Sequence, residues 1–151
     1  MIQGGPFSLK FVTRVFLAIA GAIVVMSVHA QDHITLTKGG GVTGNTTVFR
    51  ISRTGEVAKS TGTIEPEFSA FAQLRKGKTR KYFRKARALL KDQTFNHPGN
   101  LYHEIALVEG DRERKLVWGD TAQRPPAKAE KLYQTMEASL NRLTFSKNPR
   151  K

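Results

Sequence analysis

The chain changes hydrophobic period several times. Residues 15–28 form an apolar run, VFLAIAGAIVVMSV, without a charge. Beyond residue 30 the pattern shortens. Ile34, Leu36 and Val42 flank a glycine cluster, and residues 46–51, TTVFRI, are β-branched and aromatic, the composition of a strand. Arg53-Thr54-Gly55-Glu56 reads as a turn. The expectation is two or three antiparallel strands, over 34–38, 46–52 and 56–61. Pro66 opens a short helical stretch, with Phe68, Phe71, Ala72 and Leu74 on one face and Gly77 ending it. From 78 to 91 the helical period is clear: Tyr82, Phe83, Ala86, Leu89 and Leu90 share one face. The other face carries Lys81, Arg84, Lys85, Arg87 and Lys91.

Residues 95–100, FNHPGN, are punctuated as a loop. A strand over 101–109 is turned back at Glu109-Gly110-Asp111-Arg112 and pairs with 114–118 as a hairpin. Pro125 and Pro126 suit the approach to a last helix. There Ala129, Leu132, Tyr133, Met136, Leu140 and Leu143 keep the best helical period in the chain. The order β-β-(β)-α-β-β-α predicts the α+β class: a small antiparallel sheet of four to five strands with two main helices on one face. One domain spans 31–145, and 146–151 is a basic tail.

The apolar run is explained by its flanks. Lys10 and Arg14 precede it, and Val28-His29-Ala30 closes it with small residues at the positions a signal peptidase reads. Its helix would rise only about 21 Å against a bilayer core of about 30 Å. Residues 1–30 are therefore read as a cleaved signal peptide, which predicts a periplasmic or secreted bacterial protein. The absence of cysteine excludes a lipid-anchored lipoprotein, disulfides, thiolate metal sites and cysteine nucleophiles. The chain's net charge is +13, and since the first thirty residues contain only Lys10 and Arg14 among its charges, the rest carries +11. Such an excess favours encounters with anionic partners. Export turns that expectation toward an anionic envelope surface or an acidic protein, and away from nucleic acid.

Candidate chemistry is sparse. His33, His97 and His103 have no metal-ligand spacing, and we expect no metal site and no cofactor. His103 is expected on the exposed face of a strand. Glu109, Asp111 and Glu113 crowd one hairpin tip, where solvation accounts for them. No serine stands in a nucleophile elbow. A non-catalytic binding protein is the expectation. The cluster Gly39, Gly40, Gly41, Val42, Thr43 and Gly44 lacks the Lys-Ser/Thr ending of a phosphate loop, and a strand follows it. It reads either as a wide bend needing positive φ or as a slim loop that enters a partner's cleft. The segment 75–91 holds nine Lys or Arg and no acid. It reads as a solvated helix face or as a docking face for an acidic partner or anionic surface. Trp118 and Tyr102 are expected in the sheet, as core or as contact anchors.

The stretch from Ile34 through Gly40-Gly41-Val42-Thr43-Gly44 to Val48-Phe49-Arg50-Ile51 resembles the opening of emfourin-type proteins, small bacterial inhibitors of thermolysin-like metalloproteases. The resemblance covers about 20 residues as a strand, a Gly-Gly-aliphatic-x-Gly turn and a second strand. The later order of helix, hairpin and leucine-rich helix is similar in outline. It implies a protein partner, a metalloprotease, with the glycine turn in or beside the active-site cleft. The segments 95–102 and 117–120 and the basic helix depart from that family and resemble uncharacterised secreted proteins of environmental bacteria.

The export reading has a direct check. Edman sequencing of the secreted protein is expected to begin at or near Gln31; a full-length product retained in the membrane contradicts it.

Overall fold

The computed structural model describes residues 31–42, 44–62 and 67–146, with side chains through residue 143. The expected leader, Thr43, Pro66 and residues 147–151 lie outside the described residues. The chain builds β1 (His33–Gly40), β2 (Thr46–Ser52), β3 (Glu56–Gly62), β4 (Ser69–Gln73), α1 (Lys76–Leu90), β5 (Phe95–His97), β6 (Leu101–Glu109), β7 (Arg112–Trp118) and α2 (Ala127–Ser146). The class is α+β, with two helices. The sheet, however, has seven strands in the order β4-β3-β2-β1-β6-β7-β5. It is mixed, because β5 pairs parallel to β7 while every other pairing is antiparallel.

The two extra strands correct two expectations. Residues 69–73 are a strand where a helical stretch was expected. Five residues are too few to separate a period of 2 from one of 3.6, and the free edge of β3 decides the outcome. Pairing steps from Val57↔Ala72 to Ala58↔Ala70 across a bulge, and the Phe71 ring meets Phe49 edge-on at 5.5 Å. Residues 95–97, expected in a loop, form β5 on the outer edge of β7. Gly77, expected to break a helix, lies in the first turn of α1. Glycine keeps its amide donor and costs a helix about 1 kcal/mol of backbone entropy, which burial of the apolar face of α1 offsets. Ser146, assigned to the tail, is the last residue of α2.

Strand β1 is central, paired with β2 on one side and β6 on the other. The register places Ile34 and Leu36 beside Ile51 and Phe49 on one neighbour and Leu107 and Ile105 on the other. These residues and Leu116 form the apolar face of the sheet, and both helices cover it. Tyr82, Phe83, Ala86, Leu89 and Leu90 of α1 and Ala129, Leu132, Tyr133, Met136 and Leu140 of α2 join the same buried cluster. The helical periods read from sequence therefore give the buried faces correctly. None of the described helices is long and apolar enough to cross a membrane.

Helix α1 forms despite its N-terminal end. Arg75 caps it without a side-chain bond, its first turn has no acid, and Lys76 and Lys78 stand there against the helix dipole. Burial of its apolar face holds it. The other helix starts favourably: the Pro126 carbonyl accepts from the amides of Ala129 (2.8 Å) and Glu130 (3.3 Å), and Glu130 lies in the first turn.

The end of the sheet where β1 begins is tied by charge. Glu109 accepts from Arg53 (3.1 Å), Arg87 and Arg114 (2.5 Å), while Asp32 holds Arg53 at 2.7 Å and the Gly110 amide at 3.0 Å. Hydrogen bonding from Arg87 and the surrounding arginine charges hold the Glu109 carboxyl below its ordinary pKa. Solvation was expected to account for Glu109; three arginines converging on it do so instead. A depressed folded-state pKa contributes stability above the unfolded value of about 4.3, and that stability is lost as pH falls through the folded value. Replacing Glu109 by Gln is expected to cost about 1–2 kcal/mol at pH 7, after allowance for the partly exposed partners. Urea unfolding from pH 7 to pH 3 checks this: the wild-type advantage should vanish in acid, and a pH-independent difference contradicts the charge account.

Candidate functional site

At the opposite end of β1 the glycine cluster meets the loop that enters β6. Gly39 and Gly40 belong to the strand, opposite Tyr102 and Leu101. The Gly41 amide donates to the Asn100 carbonyl at 2.7 Å, and the Gly44 amide to the Gly41 carbonyl at 3.1 Å. A β-carbon at position 40 would sit 1.9 Å from the Asn100 oxygen, and φ there is 100°. Glycine at 40 is thus required twice, by space and by conformation. Gly41 and Gly44 also take positive φ, 79° and 62°. At Gly39 the obstacle is softer, the Tyr102 hydroxyl 2.8 Å from where a β-carbon would lie.

The same end is close-packed beyond β1. A β-carbon on Gly99 would come within 2.2 Å of the Gly119 oxygen, and one on Gly119 within 2.0 Å of the Leu101 oxygen. The Asp120 amide donates to the His97 carbonyl at 3.1 Å. Main chain therefore lies on main chain from the β1–β2 turn across to the end of β7. Above this base, Val42 is fully exposed (104%) and Leu101 is 61% exposed, the large hydrophobic side chains most open to solvent among the described residues. Of the six loop residues singled out, Gly39 and Gly40 are structural, Gly41 and Gly44 shape the turn, and Val42 faces solvent. Thr43 lies outside the described residues.

Beside this end, His103 leaves the expected exposed position. It is half-buried on the helix side of the sheet, stacked on Trp118 at 5.8 Å and met edge-on by Tyr133 at 5.0 Å. Burial, with Lys38 nearby, lowers its pKa below the ordinary histidine value, against the opposing pull of Glu137 and Glu130. Trp118 is core, 6% exposed, and the buried Tyr133 hydroxyl, its pKa raised by burial, donates to the Thr37 carbonyl at 3.2 Å. The trio anchors α2 to the sheet. His97 stays exposed on β5 against Phe95, and His33 lies near Gln31. Among the described residues no three of His, Asp and Glu come together as a metal site would need.

The basic face of α1 divides. Lys81, Arg84, Lys85 and Lys91 are exposed, and among the described residues none of them is ion-paired. Arg87 is exposed but committed to Glu109, which corrects its place in a freely solvated face. On the α2 side, Lys85 lines a groove of about 450 Å³ together with Ala88, Leu89, Lys128, Lys131 and Leu132. The groove and the arginine cluster escaped sequence reading because each joins residues far apart in the chain. The long hairpin carrying Glu109 beside a basic helix was the only hint of the second.

No protein-family model matches this chain, and no curated protein sequence is significantly similar to it.

The glycine assignments separate by substitution. Gly40→Ala is expected to destabilise by about 2 kcal/mol or more, through backbone collision and strain, whereas Val42→Ser should stay within about 0.5 kcal/mol. Thermal unfolding measures both; a Gly40→Ala protein melting with wild type contradicts the Asn100 contact.

Proposed function

We propose that this is an exported, non-catalytic binding protein that presents its glycine turn to a protein partner, as an inhibitor of a thermolysin-like metalloprotease. The observation that carries the reading is the fully exposed Val42 on a turn whose stem is fixed by Asn100 and Gly40. Ordering a free backbone costs roughly 1–2 kcal/mol per residue on binding. A turn held in advance avoids much of that cost. Gly39, Gly40 and Gly41 before it and Gly44 after it keep the stem narrow, so Val42 leads into a cleft, with Leu101 beside the base. The resemblance of residues 34–51 to the emfourin-type opening points to the same partner class.

A second reading rests on a separate observation. Lys81, Arg84, Lys85 and Lys91 lie exposed and without ion pairs among the described residues, on a helix whose first turn already carries cations against its dipole. Away from the C-cap Lys91, that placement gains nothing from the helix dipole. It suits a basic module that binds an anionic envelope surface or an acidic partner.

One set of experiments separates the two. Under the first reading the purified protein inhibits a thermolysin-like protease at micromolar concentration or below. Val42→Asp then weakens inhibition by about tenfold or more, the scale of one hot-spot side chain, at unchanged melting temperature. Gly41→Val or Gly44→Val would be poorer probes, because both positions have positive φ and the substitutions strain the fold. An unaffected protease, with retention on an anionic surface at low salt and release at high salt, overturns the first reading in favour of the second.

A further inference from the structure

The groove between α1 and α2 joins a basic rim to an apolar floor, a combination that neither reading above uses. Its walls carry three ammonium groups from two helices, Lys85 on α1 and Lys128 and Lys131 on α2. Its floor is apolar, formed by Leu89 and Leu132, core residues that surface there at 8% and 7% exposure, with Ala88 beside them. None of the three lysines is ion-paired among the described residues. We propose that this groove binds a single-chain lipid whose head group is a phosphate monoester.

Size, polarity and charge each restrict the occupant. A volume of about 450 Å³ lies within the roughly 300–1,000 Å³ of small-molecule sites and is small for a docked helix, whose diameter is about 10–12 Å. A leucine floor gains by covering with hydrocarbon, and lysine stems add apolar lining while their heads stay at the rim. Three ammonium groups outnumber the single charge of a carboxylate. A phosphate monoester carries about −1.5 to −2 at neutral pH and offers three acceptor oxygens, one for each lysine. A neutral head group would gain nothing from the exposed lysines, and inorganic phosphate would gain nothing from the floor. The proposal is independent of the glycine turn and its protease, so either can fail alone.

The test is isothermal titration of the purified protein at low salt with dodecyl phosphate below its micelle concentration. Dodecanoate, dodecyl maltoside and inorganic phosphate serve as comparison ligands. Dodecyl phosphate is expected to saturate one site per chain and to bind more tightly than all three. The double variant K85Q/K131Q should weaken it about tenfold, since each exposed ion pair is worth up to about 1 kcal/mol. The control R124Q/R142Q removes equal charge at exposed positions that neither line the groove nor belong to the basic face of α1, and should bind as wild type. Melting temperatures confirm that both variants are folded. Equal affinity for dodecyl maltoside, tighter binding of dodecanoate, equal weakening by the control variant, or binding only to anionic vesicles would each overturn the assignment.

Discussion

One backbone carbonyl, that of Asn100, sets the geometry of the end of the sheet that presents Val42 and Leu101 to solvent. It lies where only glycine permits, against Gly40, and accepts the Gly41 amide at 2.7 Å. Because β1 is the central strand, this contact fixes where the sheet stops and where the turn toward β2 begins. The approach is repeated at Gly99 and Gly119, so the entry to β6 and the exit from β7 seat against each other in the same layer. Without side chains between them, these segments hold their positions by hydrogen bonds and close contact. The turn carrying Val42 inherits its placement from that layer.

The opposite end of β1 is fastened by different physics. There Asp32 and Glu109 gather Arg53, Arg87 and Arg114, joining the start of β1, the β2–β3 turn, α1 and the β6–β7 turn. Between the two ends a single apolar face of the sheet is covered by both helices, and that one core holds together a chain without cysteine. Arg87 shows how structure and surface compete for the same residue: the basic face of α1 loses one cation to the fold. Lys81, Arg84, Lys85 and Lys91 stay exposed and, among the described residues, without ion pairs.

Much of this was legible in the residues. The periodicity of 82–90 and 129–143 identifies the buried helix faces, and the β-branched run 46–51 gives β2 with its bounds. Short segments were not legible. Five residues at 69–73 and three at 95–97 take their conformation from the edges they meet, so no local pattern announces them. His103 went astray for a related reason: whether a strand residue points to solvent or to a helix depends on register, which residues 101–118 alone do not specify. The glycines were visible as a cluster, yet their division into structural and exposed parts required knowing that Asn100 and Tyr102, sixty residues on, lie against them.

Amide hydrogen exchange by NMR tests the central claim, that the glycine turn is held in place by its stem. The Gly41 amide, bonded to Asn100, is predicted to exchange as slowly as amides in the middle of β1, while the Val42 and Asn45 amides exchange quickly. Exchange of Gly41 at the rate of an unprotected peptide would contradict the account, since the turn would then be a free loop.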